Sequence, residues 1–314
     1  MILKIKLLLG TIIYIIQRWN MRGGIDSLRA FILLARLVFH EKDELYDRWH
    51  ALNLSFLKKM IVPDMISYVH NSERVVNYRI WTCWWQGEGN MPEIIRMCLN
   101  RLKKATDKEV VVITKNNYAQ WIDIPDFLKK RIENKQIGVA HLSDYIRIAL
   151  LCKYGGLWID STVFVIGNIP NEVFDNIFFT IRATSNTHKY IPMGKWNMQV
   201  LGSSVTNCKV FVYMKEYLEA YWKKFDRDID YLFFDYGMQL QYETEEESRK
   251  LIDNVPLTND CMHGLLPLMN QTYDGKKWHE MIQSTYLFKL TYKTTYVERC
   301  GEDKTFYYHL KELC

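Results

Sequence analysis

Residues 141–162, HLSDYIRIALLCKYGGLWIDST, constrain this chain more than any other stretch. Ser143 predicts a helix N-cap, Asp144 suits the positive end of the helix dipole, and Gly155 can supply the left-handed residue that closes the helix at Tyr154. The apolar run that follows predicts a strand over 157–160, ending on Asp160. Asp144 and Arg147 lie three apart and so share a helix face, with Ile148 and Leu151 marking the buried side next to it. Open α/β sheets bind ligands at the C-terminal ends of their strands. Asp160 therefore stands where a carboxylate could hold a ribose hydroxyl or a divalent cation on a diphosphate. The paired glycines would let the backbone pass close to a ligand. Alone, Asp144 and Arg147 read far more readily as an ordinary intrahelical ion pair, and Gly155-Gly156 as an ordinary turn. The whole string is far more specific than its parts.

The flanking sequence fits an α/β fold. Residues 25–60 predict two helices, the first with an apolar face of Leu28, Phe31, Ile32, Ala35 and Val38, the second over about 44–60 and ending before Pro63. Residues 79–85 are short and β-rich and stop at Gly87 and Gly89. Pro92 opens a helix reaching about Lys104. The run EVVVI at 109–113 predicts a strand covered on both faces. Two short helical segments follow within 116–134. Strands are expected at 163–166, 177–182 and 198–201, and helices over 207–224 and 229–250. Alternation of this kind predicts a largely parallel sheet. A helical N-terminal extension, 1–75, precedes a single catalytic domain, 76–314.

The central string resembles the DXD-type sugar transferases, and within them the capsular polysaccharide synthesis protein family. Residues 80–95, IWTCWWQGEGNMPEII, resemble that family's first strand and the Pro that starts its next helix. DYLFFDY at 230–236 resembles its aromatic stretch. The resemblance covers about residues 75–240. It implies a GT-A-like, single Rossmann-type domain with a mixed, mainly parallel sheet. It further implies transfer of a sugar, with retained configuration, from a nucleotide-sugar donor such as a UDP-sugar to a glycan acceptor. Asp160 matches the first aspartate of the DXD motif, and Asp144 and Arg147 match the pair that holds the donor sugar, with Ser143 before them. Trp84, Gln86 and Gly87 match the nucleotide end of the first strand. Strand alternation lets at most one of Trp84 and Trp85 face a cleft.

One departure concerns the metal. The triplet here is Asp160-Ser161-Thr162, so the second carboxylate is missing, and a threonine hydroxyl is a weaker ligand for Mn²⁺ or Mg²⁺. The divalent cation implied by the resemblance would rest on Asp160, Thr162 and the donor diphosphate, with a later side chain, His263, Asp235 or Asp260. Asp235 is also the candidate for positioning the acceptor.

Charge and cysteines narrow the partners. Residues 1–40 carry six lysines and arginines against Asp26 alone, which accounts for the net charge of +5. No basic, aromatic-interleaved stripe runs through the middle, so nucleic acid is not an expected partner. The seven cysteines are scattered, with no CxxC pair, as in a cytoplasmic protein with reduced thiols. The N-x-S/T matches at Asn53 and Asn270 are read as chance. The ten apolar residues 7–16 are too few for a span of about 20. Residues 1–22 read as a helix on the inner face of an anionic bacterial membrane, lysines and arginines at the headgroups, or as a helix packed on the protein's own core. The first suits a peripheral enzyme whose acceptor is a lipid-linked glycan, a free glycan being the alternative. Two rivals are a glycoside hydrolase using Asp144 and Asp160, and a non-catalytic membrane-associated assembly protein that has lost turnover.

Overall fold

The structure, a computed structural model, describes residues 2–65, 71–75, 78–184 and 187–314, the side chains of residues 2–5 excepted. Three helices open the chain: α1 (Ile2–Arg22), α2 (Gly24–Phe39) and α3 (Asp43–Met60). The α/β body follows with β1 (Arg79–Cys83), α4 (Glu93–Lys104), β2 (Glu109–Ile113), α5 (Asp126–Glu133), α6 (Val139–Tyr154) and β3 (Gly156–Ile159). Then come β4 (Val163–Val165), β5 (Phe179–Thr180), β6 (Val200–Ser203), α7 (Lys209–Lys224), α8 (Phe233–Thr244) and α9 (Glu246–Asp253). The chain finishes with α10 (Gly275–Ile282), β7 (Leu287–Lys289), the short pair β8 (Arg299–Cys300) and β9 (Asp303–Lys304), and α11 (Phe306–Leu313). The expected domain boundary abuts residues 76 and 77, which lie outside the described residues.

The central sheet has the order β2-β1-β3-β6-β5. β1 pairs in parallel with β2 and β3, while β6 is antiparallel to both β3 and β5. Four strands thus run one way and β6 runs against them, giving the mixed, mainly parallel sheet of an α/β fold. Trp81 and Trp158, opposite each other on β1 and β3, are both buried to 1% exposure or less. α6 covers this sheet, and Ile146, Ile148, Leu150 and Leu151 are each fully buried. A helix apolar on so many sides must be covered on more than one, and α7 packs on it from outside.

Four local expectations need correction. α6 starts at Val139, capped by the extended Gly138, so Ser143 sits inside the helix and Asp144 is not in its first turn. The extra turn buries Leu142, which a start at Ser143 would have left outside. The helix expected over 229–250 is two helices, broken at Glu245, whose backbone is extended. Acidic side chains are unfavourable at a helix C-terminus and favourable at a new N-terminus, where Glu246 and Glu247 now sit. Residues 163–165 form the expected strand but lie outside the central, largely parallel sheet. They turn away and pair antiparallel with β7 in a separate two-stranded sheet. Finally, α2 buries Ser27 and Ala30 and leaves Leu28 and Ile32 about half exposed, at 53% and 48%. Its apolar residues surround the axis, so periodicity found the buried side only in part: Phe31 packs on the core, whereas Leu28 and Ile32 do not.

The orientation of α1 departs from the membrane reading. Arg18 and Arg22 are buried. Arg18 donates to Asp228 Oδ2 at 3.0 Å and to the Asp228 carbonyl at 2.7 Å, and Arg22 donates to Asn53 Oδ1 at 2.5 Å. A guanidinium that finds buried acceptors has no need of headgroups. Ile13, Ile16 and Trp19 of α1, with Ile25, face outward at 43% exposure or more. Among the described residues no helix is long and apolar enough to cross a membrane. Asn53 is fully buried and also donates to Tyr236 Oη, so its glycosylation-like triplet is a chance match.

Candidate active site

The turn from β3 into β4 carries the site. Asp160 is the first residue past β3, and its carbonyl accepts from Val163 N at 2.9 Å as the chain leaves one sheet for the other. Its carboxylate opens into a cleft of about 930 Å³ lined also by Asp144, Arg147, Thr162, Asp235 and Lys289. Arg147 reaches it from α6. Its Nη2 donates to Asp160 Oδ1 at 2.9 Å, its Nη1 lies 3.3 Å from Asp144 Oδ1, and its guanidinium lies 5.0 Å from the Trp158 ring centre. Trp158 Nε1 donates to the same Oδ1 at 2.8 Å. Lys289, the last residue of β7, donates to Asp160 Oδ2 at 3.0 Å and to Thr162 Oγ1. Burial alone would raise the Asp160 carboxyl, but Lys289 and Arg147 beside it, with hydrogen bonds from Trp158 and Lys289, hold it below the ordinary carboxylate value. Asp160 is therefore an anion with both oxygens engaged.

Lys289 escaped the sequence reading. The signal was a lone lysine inside the apolar run LFKL, 287–290, where Leu287, Phe288 and Leu290 are all buried. A lysine in such a strand needs a partner.

Asp235 enters from the first turn of α8 and is 8% exposed. Trp196 Nε1 donates to its Oδ1 at 2.9 Å. Burial pushes its carboxyl up to about 7, against the Trp196 hydrogen bond, with Asp144 adding to the rise and Arg147 opposing it. The folded chain thus holds this proton more tightly than the unfolded chain does. Stability should fall as pH rises from about 4 to 7 and level off above, by up to about 4 kcal/mol from this group. Asp235→Asn stays neutral and still accepts from Trp196. It should melt several degrees above the parent at pH 8 and within about one degree of it at pH 4. An equal difference at both pH values would refute a buried, protonated Asp235.

The other expected site residues divide into two groups. Ser143, Thr162, Asp260 and His263 line the cleft with Asp144 and Arg147. Gly155, Gly156, Trp84, Gln86 and Gly87 do not. Trp84 stands edge-on to Tyr292, which does line it, at 5.2 Å, while Trp85 packs on Tyr118 on the other side. Neither tryptophan lines the cleft, and Trp84 meets it only through Tyr292. The two glycines lie at the far end of β3 from Asp160. A Cβ on Gly156 would sit 2.5 Å from the Arg79 carbonyl oxygen, and one on Gly155 would sit 2.5 Å from Val75 Cγ2. Their smallness serves strand packing, not ligand approach.

The residues expected to hold Mn²⁺ or Mg²⁺ do not make a fitting site. Such ions take several oxygen ligands at 2.0–2.1 Å for Mg²⁺. Here Asp160 Oδ2 and Thr162 Oγ1 already share the Lys289 ammonium. A dication there would have to compete with that ammonium for the same carboxylate oxygen. His263 is exposed on the cleft wall, and among the described residues no three His, Cys, Asp or Glu side chains cluster as a metal site.

No curated protein matches this chain. Among solved structures, the PaToxG glycosyltransferase is similar with a TM-score of 0.40 and 13% identity, over 78% of this chain and 97% of that one. The apo form of the bifunctional glycosyltransferase WbbM is similar with a TM-score of 0.39 and 12% identity, over 79% of this chain and 50% of that one. The family model described as capsular polysaccharide synthesis protein matches residues 36–310. That span is most of the chain and contains every residue of the cleft, and the chain belongs to the capsular polysaccharide synthesis protein family.

Proposed function

We propose that the protein is a glycosyltransferase that moves a sugar, with retention, from a UDP-sugar to a glycan acceptor in capsule synthesis. The observation that carries this reading is the Asp144–Arg147–Asp160 constellation at a strand's C-terminal end, opening into a cleft large enough for a nucleotide sugar. The acceptor hydroxyl attacks the anomeric carbon as the bond to the diphosphate breaks. Arg147, fixed by two carboxylates and the Trp158 face, is oriented in advance of that charge development. Asp144 would hold donor hydroxyls. Asp235, with a carboxyl near neutrality, would position the acceptor hydroxyl. A hydrolase has no need of the arginine that here bridges the Asp144 and Asp160 carboxylates.

The test is release of nucleoside diphosphate from a panel of nucleotide sugars by the purified chain. Release from one donor supports the class and names the sugar. No release and no donor binding by calorimetry would end the reading.

We further propose peripheral attachment to the cytoplasmic face of the membrane, next to a lipid-linked acceptor. Support comes from Ile13, Ile16, Trp19 and Ile25, exposed together on the hairpin of α1 and α2. Flotation with anionic vesicles should carry the protein up the gradient, and Ile13→Ser with Ile16→Ser should leave it at the bottom. Flotation unchanged by those substitutions would rule out this face.

A further inference from the structure

We infer that Lys289 is the cation of the donor site: its ammonium binds the donor diphosphate in the place a divalent metal would take, so that donor binding is metal-independent. The inference rests on the glycosyltransferase reading and names the group that neutralises its leaving charge.

Position comes first. Lys289 reaches the cleft from β7, while Asp160 and Thr162 flank the turn between β3 and β4. β4 pairs with β7 so that Val163 lies opposite Lys289. Leu290 N also donates to the Thr162 carbonyl at 2.9 Å, and Lys289 N to the Met262 carbonyl at 2.8 Å. The backbone around the ammonium is thus fixed on both sides, and the lysine is placed as firmly as the carboxylate it meets.

Donor capacity follows. An ammonium has three N–H groups. Two go to Asp160 Oδ2 and Thr162 Oγ1. The third has no other hydrogen-bond partner among the described residues, and the side chain keeps 22% exposure on the cleft wall. One N–H is therefore free for a phosphate oxygen. The missing second carboxylate of the triplet now has a physical sense. A carboxylate at Thr162 would draw a dication to the site or bind the lysine more tightly, whereas a hydroxyl orients the ammonium and adds no charge.

The chemistry balances without a metal. The bond from the anomeric carbon to the diphosphate oxygen breaks, and its electron pair stays on the diphosphate. The acceptor oxygen forms the new bond to that carbon and its proton leaves to water. Lys289 and Arg147 carry two positive charges against the growing negative charge, as a dication would. Lys289 touches the diphosphate in this scheme and is a catalytic residue. Asp160, which bonds both cations, is their positioning residue.

The experiment is calorimetric titration of the full-length protein with nucleoside diphosphates, UDP first, in EDTA and in Mn²⁺. A parallel titration uses Mn²⁺ alone, followed by its electron paramagnetic resonance signal. Expected are equal UDP affinity within about twofold in both buffers, no uptake of Mn²⁺ alone, and a loss of about 100-fold in Lys289→Gln, with Lys289→Arg near the parent. Lys289→Asp places a second carboxylate beside Asp160 and should bind UDP only with Mn²⁺. UDP binding that requires Mn²⁺ in the parent would overturn the inference and leave the transferase reading standing. So would a folded Lys289→Gln that binds UDP in EDTA like the parent. Failure to bind any nucleoside diphosphate in either buffer would overturn both.

Discussion

Asp160→Asn is expected to lower donor turnover by about 1000-fold or more while also lowering the melting temperature. The substitution keeps the shape of the side chain and removes its charge. Two cations then lose their shared anion. Arg147, 4% exposed, would be left with Asp144 alone, and its Nε already has no hydrogen-bond partner. Breaking a buried ion pair from one side typically costs about 3–5 kcal/mol, because the remaining charge stays buried. Here Asp144 compensates in part, so a loss near the lower end is expected. The amide would also turn a donor toward one of the two cations. The turnover assay and a thermal melt read the two effects separately. A variant that melts lower yet turns over donor normally would show that Asp160 only braces the fold.

Gly156→Ala should be the most damaging single substitution in the sheet. Gly156 has φ +90°, a left-handed value that alanine adopts only with strain. The added Cβ would lie 2.5 Å from the Arg79 carbonyl oxygen and 2.9 Å from Trp81 Nε1. The indole could turn aside only by giving up its 2.9 Å bond to the Gly155 carbonyl. Arg79 is on β1, paired with β2 in register, so the backbone cannot retreat without parting the strands. A loss above about 4 kcal/mol is expected, a large share of the 5–15 kcal/mol that holds a domain folded. Gly87→Ala is the control. Gly87 has the same φ of +90° but nothing within 4 Å of its added Cβ, so only the backbone strain of about 1–2 kcal/mol remains. Soluble yield and urea midpoints should rank the parent above Gly87→Ala, and Gly87→Ala far above Gly156→Ala. Equal effects of the two would mean that strain, not collision, sets the need for glycine.

The parts of this fold that could be read from sequence are those whose causes are local. Pro92 opens α4, the apolar run 109–113 makes β2, and Gly155 stops α6, each within a few residues of its signal. The boundaries missed were set from further away. α6 begins early because Leu142 finds a place in the core, and β4 leaves β3 because β7, more than 120 residues later, supplies its partner. The site divides in the same manner. Asp144, Arg147 and Asp160 lie within 17 consecutive residues, and their spacing on one helix and one strand end brings them together. Lys289 joins them only through the β4–β7 pairing, which no local pattern announces. The glycine pair was legible as necessary, but the need came from neighbouring strands rather than from a ligand.

Helices α1 and α3 act on the cleft wall as a buttress. Arg18 and Tyr14 hold the backbone at Asp228 and Ile229, Trp49 donates to Asp230, and His50 and Asn53 hold the hydroxyl of Tyr236. The nine residues from 228 to 236 are thus fastened from beneath along their length, and Asp235 projects from their upper side into the cleft. Arg18 and Tyr14 lie before the family-matched span, which starts at residue 36. The smallest length of chain that can hold the cleft in shape is therefore longer than the length that contains its chemistry.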